Sequence, residues 1–100
     1  MSVNGTWALT MQSPLGERAA TVVLSATGTS LTGTQSAEGI SGDIFDGRED
    51  GGRLSWKFAI TEPVPITLEF EGVVTADTMT GTMTAGMYGA WPFTASRIGA

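Results

Sequence analysis

The chain of 100 residues contains no cysteine and no histidine. Without cysteine it forms no disulfide bonds and has no thiolate nucleophile, and without histidine a His-based general base or catalytic triad is excluded. The usual protein ligands of transition metals and haem are missing for the same reason. Carboxylates alone can hold a hard cation, and that alternative stays open, but no spacing here resembles an EF-hand. We therefore expect neither a bound metal nor another cofactor.

Basic residues are scarce, with five Lys and Arg against ten Asp and Glu, and the net charge is -5. Nucleic acids and anionic membranes both attract basic surfaces, so we expect the protein to bind neither. No apolar stretch approaches the ~20 residues of a membrane-spanning helix. The first twenty residues contain no apolar signal-peptide core, and we therefore expect a cytoplasmic location.

Apolar and polar residues alternate with period two along nearly the whole chain, and glycine or proline punctuates the runs. The predicted strands cover residues 6–11, 18–25, 31–37, 40–48, 54–61, 66–71, 78–84 and 91–95. Eight short strands with short turns and no helical stretch are typical of an all-β, antiparallel up-and-down barrel. We predict a single eight-stranded barrel domain over residues 1–100, with a two-sheet β-sandwich as the alternative.

A tetrapeptide repeats along the chain. Leu31-Thr32-Gly33-Thr34 returns as Met79-Thr80-Gly81-Thr82, an offset of 79 − 31 = 48 residues. In a barrel this offset makes the hairpin of the second and third strands equivalent to that of the sixth and seventh. Independent use of the same turn chemistry in the two halves is the other explanation, and the sequence leaves both open.

Asn4-Gly5-Thr6-Trp7 on the first strand, together with Arg97 on the last, resembles the signature of the calycin group, which comprises lipocalins, fatty-acid-binding proteins and avidins. The resemblance implies that Trp7 closes one end of the barrel and that Arg97 packs across its indole. Both residues are then structural, and such a cation–π contact is worth ~0.5–2 kcal/mol. The polar residues with which avidins contact biotin have no counterpart in this chain.

A closer likeness covers nearly the full length. Segments such as Asp46-Gly47-Arg48-Glu49-Asp50-Gly51 and Pro65-Ile66-Thr67-Leu68-Glu69-Phe70 resemble a family of uncharacterised bacterial proteins of about this size. Similar segments are also appended to the C-terminal side of metal-dependent hydrolases, which implies a role as an accessory module that docks to a partner protein. The likeness implies no catalytic motif. The position of Glu49 is more often apolar in that family.

The predicted barrel interior is rich in aromatic and methionine side chains. We predict ligand-binding roles for eight of them: Trp56, Phe58, Phe70, Met79, Met83, Tyr88, Trp91 and Phe93. An eight-stranded barrel either holds one small ligand or is filled by its own side chains. The first alternative is a pocket for a small hydrophobic or aromatic molecule, and the second is a packed core with a small cavity at one mouth at most.

An acidic hairpin offers a different chemistry. Glu49, paired with Asp43 or Asp46, could act as acid and base in a His-free isomerase or cyclase, because neighbouring carboxylates can separate their pKa values. The alternative is a solvated hairpin whose surface ion pairs contribute ~0–1 kcal/mol. Our leading prediction is therefore a non-catalytic binder of a small apolar molecule, ahead of the accessory module and the enzyme.

Two surface features complete the predictions. The prolines of Glu62-Pro63-Val64-Pro65 stiffen an extended connection that would serve as a lid, a partner contact or only a rigid loop. Phe45, Val23 and Val73 fall on the outward parity of their strands, and exposed apolar residues often mark an interface. We therefore predict a homodimer formed through the outer barrel wall, with ordinary, isolated exposed apolar residues as the alternative.

Overall fold

The computed structural model describes residues 3–13, 16–37, 39–60 and 65–99. Within these ranges the chain forms nine β-strands and one 3₁₀ turn, Gly86–Tyr88. The strands are β1 Gly5–Ser13, β2 Gly16–Thr27, β3 Ser30–Ala37, β4 Ile40–Asp43, β5 Phe45–Asp50, β6 Arg53–Ile60, β7 Ile66–Thr75, β8 Thr78–Ala85 and β9 Ala90–Gly99. In this part of the chain no helix has the length and apolar character needed to cross a membrane.

The strands close into a barrel. Every pairing is antiparallel and joins strands that follow one another in the chain, except for two. These are β3 with β5, and β1 with β9, which joins the first strand to the last. Strands β4 and β5 both pair with β3 and occupy one position in the wall. Nine segments therefore fill eight positions. The predicted eight-stranded antiparallel barrel is confirmed, and the two-sheet sandwich is wrong.

The fourth predicted strand, continuous over residues 40–48, is interrupted in the structure. Ile44 lies between β4 and β5, and its backbone N–H donates to the carbonyl oxygen of Gly33 at 3.0 Å. The register then shifts between Phe45 and Arg48, where Asp46 has a φ of 53°. Asp tolerates this left-handed conformation better than most residues, so the bend that moves the wall from β4 to β5 is formed at little strain.

Alternation along the strands places the apolar side chains inside. The buried positions include Trp7, Leu9 and Met11 on β1, Ala20, Val22 and Leu24 on β2, Leu54, Trp56 and Phe58 on β6, Leu68 and Phe70 on β7, Met79 and Met83 on β8, and Phe93 and Ala95 on β9. All of them belong to one hydrophobic cluster. A single continuous core therefore runs along the barrel axis.

Trp7 and Arg97 occupy the end of the barrel where β1 begins. The indole of Trp7 is fully buried, and its N–H donates to the carbonyl oxygen of Val3 at 3.0 Å. The guanidinium carbon of Arg97 lies 4.6 Å from the centre of the Trp7 ring. The same guanidinium donates to Asp77 Oδ1 at 2.9 Å and to the carbonyl oxygen of Asn4. This end of the barrel, which we call the closed end, is thus sealed by a stacked cation and by the chain before β1.

The repeated tetrapeptide has a structural equivalent. Gly33 pairs with Leu24 in the β2–β3 hairpin, and Gly81 pairs with Gly72 in the β7–β8 hairpin, so both partners are offset by 48 residues (81 − 33 and 72 − 24). A Cβ atom on Gly33 would overlap the carbonyl oxygen of Val23, and one on Gly81 would overlap that of Glu71. Both glycines therefore permit the same close approach of a neighbouring strand. Glycines at such positions allow the wall of a barrel to coil strongly.

We predict that Gly81→Ala destabilises the protein by about 3 kcal/mol, because the backbone of β7 cannot move away without breaking its ladder with β8. Urea unfolding of the two proteins measures the difference. The matched control is Gly42→Ala, whose new Cβ would lie 3.5 Å from the Phe58 ring, an ordinary contact distance. Equal stability of the two variants would contradict the close approach at Gly81.

Candidate functional site

The barrel interior opens at the end where β1, β3, β6 and β8 finish, which we call the open mouth. It contains a cavity of about 500 Å³. Three polar residues, Arg18, Gln35 and Tyr88, contribute to the lining. The remaining lining residues are apolar: Met11, Ala19, Ala37, Ile40, Phe58, Ile60, Ile66, Leu68, Met83, Ala85 and Trp91. Volume and lining both match those of small-molecule sites in proteins, which are mostly apolar with a few polar groups.

Three aromatic side chains form a layer beneath this cavity. Trp56 and Phe70 stack with ring centres 4.9 Å apart and planes 10° apart. The Phe93 ring meets the Trp56 ring at 6.0 Å and the Phe70 ring at 5.4 Å, both nearly edge-on. We call these three residues the aromatic layer. Its members lie two residues along their strands from cavity-lining residues, and their packing fills the width of the barrel.

Gln35 joins the cavity to the aromatic layer. The residue is only 2% exposed, and among the described residues it is the only polar or charged one that is buried. The indole N–H of Trp56 donates to Gln35 Oε1 at 3.0 Å. An indole N–H is a donor only, so it must meet the oxygen of the amide rather than the nitrogen. A buried amide is thus fixed in orientation at the floor of a mostly apolar cavity.

The eight predicted ligand-binding residues divide into two groups of four. Phe58, Met83, Tyr88 and Trp91 line the cavity, and Tyr88 stands on the 3₁₀ turn at its rim with an exposed ring. The other four are packed below: Trp56, Phe70 and Phe93 in the aromatic layer, and Met79 nearer the closed end. Both alternatives for the interior are therefore present, a packed core in one part and a cavity in the other.

The three carboxylates of the acidic hairpin have separate surroundings. The Glu49 carboxylate accepts the backbone N–H of Gly52 at 3.1 Å and so supports the β5–β6 turn. Asp46 forms an exposed 3.5 Å ion pair with Lys57, and Asp43 is exposed opposite Thr34. None of the three lines the cavity. Across the described ranges, no group of three or more acidic residues has a geometry suited to a metal ion.

Of the predicted proline segment, residues 62–64 lie outside the described residues, so the structure gives no information on a lid there. The outward parity of Val23, Phe45 and Val73 is confirmed, since all three are exposed. Their contribution to an interface stays a prediction.

The residue that sequence reasoning missed is Gln35. Its position continues the inward parity of Leu31 and Gly33 on β3, so the period-two pattern contains the signal. The inward-facing residues were chosen because they are apolar, so a polar residue at an inward position was not selected. Ile40, at the start of β4, lies at the rim of the cavity and is 37% exposed.

Comparison with protein-family models and with curated proteins finds no match to this chain. The all-β, eight-stranded antiparallel barrel with one closed and one open end is consistent with a calycin-like small barrel. The likeness to the uncharacterised bacterial family stays a prediction from the sequence.

We predict that Gln35→Leu destabilises the protein by about 1–3 kcal/mol, because the indole N–H of Trp56 would be buried without an acceptor. Urea unfolding measures the loss. Gln12→Leu is the control, since Gln12 donates to Glu17 at 3.0 Å on the exposed surface and its removal should cost about 0.5 kcal/mol at most.

Trp56→Phe in the Gln35→Leu background provides a second check. It removes the orphaned donor, so the double variant should be more stable than the sum of the two single losses by about 1 kcal/mol. Additive losses would mean that the hydrogen bond contributes nothing to the folded state.

Proposed function

We propose that this protein is a non-catalytic binder of one small hydrophobic or aromatic molecule, held in the cavity at the open mouth. The observation that carries the proposal is the cavity itself, about 500 Å³ with an almost wholly apolar lining. An apolar ligand that enters it exchanges water for hydrocarbon and aromatic surfaces, which is favourable at roughly 25 cal/mol per Å² of apolar area buried.

The cavity wall combines fixed and adaptable parts. Trp91 and Phe58 provide rigid aromatic surfaces, and the floor is supported by the aromatic layer. Met11 and Met83 are unbranched and flexible, so they can adjust to ligands of different outline. This combination supports recognition by shape and apolar contact, with moderate selectivity among small aromatic and aliphatic molecules.

The placement of the acidic residues supports binding rather than carboxylate catalysis within this cavity. Glu49, Asp43 and Asp46 do not line the cavity, and its polar groups are an amide, a phenol and a guanidinium. A carboxylate-based isomerase or cyclase would therefore need its substrate elsewhere on the molecule. The homodimer, the accessory module and the cytoplasmic location stay predictions from the sequence alone.

Filling the cavity tests the proposal. Ala37 lines the open mouth, and Ala37→Phe would place a ring in the space offered to a ligand. With 1-anilinonaphthalene-8-sulfonate as the probe, we expect saturable fluorescence enhancement with a micromolar dissociation constant for the natural protein. We expect affinity to fall at least about tenfold in Ala37→Phe, because probe and ring compete for one volume.

The matched control is Ala59→Phe, which adds the same ring to an exposed position on the outer face of β6. This variant should keep the affinity of the natural protein. Circular dichroism of all three proteins verifies that they are folded. Equal binding by the two variants, or no saturable binding by the natural protein, would contradict the proposal.

A further inference from the structure

We propose that the cavity selects ligands with a neutral hydrogen-bond acceptor, such as the carbonyl oxygen of a ketone, ester or lactone, at the end that enters first. The group that recognises it is the side-chain amide of Gln35. This inference rests on the proposed function of the cavity and specifies the chemistry of its ligand.

The orientation of the amide follows from its partner. Because the Trp56 indole can only donate, Gln35 Oε1 faces Trp56. The amide nitrogen, on the other side of the same carbon, therefore points away from the indole. Trp56 is held by its stack on Phe70 and by the edge of Phe93, so it keeps the amide from rotating. The two N–H donors of Gln35 thus have a fixed direction.

The two N–H donors of the Gln35 amide border the cavity. Within the described residues, the Gln35 side chain has one hydrogen-bond partner, Trp56, which donates to the amide oxygen. In the same part of the chain, no fully buried side-chain nitrogen or oxygen is left without a partner. Since Gln35 also lines the cavity, its amide nitrogen borders free space rather than a sealed apolar contact. Water can satisfy these donors in the empty protein, and a ligand must replace it.

A ligand without an acceptor would displace this water and leave the donors unpaired in an apolar site, which is unfavourable. A ligand with a carbonyl oxygen at that point restores the hydrogen bond. Sites built around a buried polar group discriminate in this way against analogues that lack the matching atom.

The acceptor is neutral rather than a carboxylate. The cationic residue in the cavity lining is Arg18, which is exposed near the start of β2. Gln35, in contrast, is buried at the floor of the cavity. A carboxylate at the floor would lose its water and gain only a neutral donor, which does not repay the desolvation of a charge. An anionic ligand would instead keep its charged group at the rim.

The internal repeat provides a matched substitution. The position 48 residues after Gln35 is Met83 (83 − 35), which also lines the cavity. Gln35→Met therefore installs the side chain that the other half of the barrel uses at the corresponding place, with similar length and no donor.

Displacement of 1-anilinonaphthalene-8-sulfonate, calibrated for each protein, gives affinities for 2-acetylnaphthalene, 2-ethylnaphthalene and 2-naphthoate. Because these probes differ in hydration, the informative quantity is how each affinity changes on Gln35→Met. We expect 2-acetylnaphthalene to lose about three- to tenfold, the value of one neutral hydrogen bond. The other two probes should bind the variant as well as the natural protein or more tightly, because neither offers an acceptor to the amide and methionine leaves no donor unpaired.

Equal changes for the ketone and the hydrocarbon would overturn this inference while leaving the proposed function intact. A loss for 2-naphthoate as large as that for the ketone would overturn the assignment to neutral acceptors. Failure of all three probes to bind the natural protein would overturn the proposed function and this inference with it.

A measurement on the natural protein removes any dependence on how the variant folds. The chain has only three side-chain amides of the Asn and Gln type, Asn4, Gln12 and Gln35, so its side-chain N–H₂ spectrum is simple. We expect 2-acetylnaphthalene to shift the Gln35 pair more than 2-ethylnaphthalene does, with Asn4 and Gln12 as references. An unchanged Gln35 pair at saturating ketone would contradict the hydrogen bond.

Discussion

The stack of Trp56 on Phe70, closed by the edge of Phe93, is the contact on which the division of the barrel interior depends. An eight-stranded barrel is just wide enough for side chains to fill, and three aromatic rings at one level fill it. Towards the closed end, the interior is packed down to Trp7. Towards the open mouth, alanines at several wall positions leave the space unfilled, so one barrel contains both a core and a cavity.

The two halves of the chain build the same wall and differ in what they project inside. Gly33 and Gly81 permit the same close approach of a neighbouring strand in equivalent hairpins. Two positions further on, one half has Gln35 and the other Met83. The amide of Gln35 fixes Trp56 through a hydrogen bond, whereas Met83 contributes only apolar contact. The symmetric wall thus encloses a site whose buried polar group comes from one half of the chain only.

The alternation of eight short strands favoured the barrel but left a sandwich open, and the pairings β1–β9 and β2–β3 decided between them. It could not separate Phe58 from Trp56, since parity defines the face of a strand and says nothing about height along the barrel axis. The break after Ile44 was also beyond it, because the register shift moves the inward positions from even residue numbers, such as Ile44, to odd ones, such as Glu49 opposite the buried Leu54. Alternation also could not show that the Glu49 carboxylate accepts the backbone N–H of Gly52 in the β5–β6 turn, and its acid–base role stays a prediction.

Xenon binding to a crystal of the protein tests the division of the interior most directly, because xenon occupies apolar cavities and does not enter close-packed regions. We expect xenon density at the open mouth, beside Met83 and Leu68, and none between the aromatic layer and Trp7. Xenon below the aromatic layer, or an open mouth without any, would contradict it.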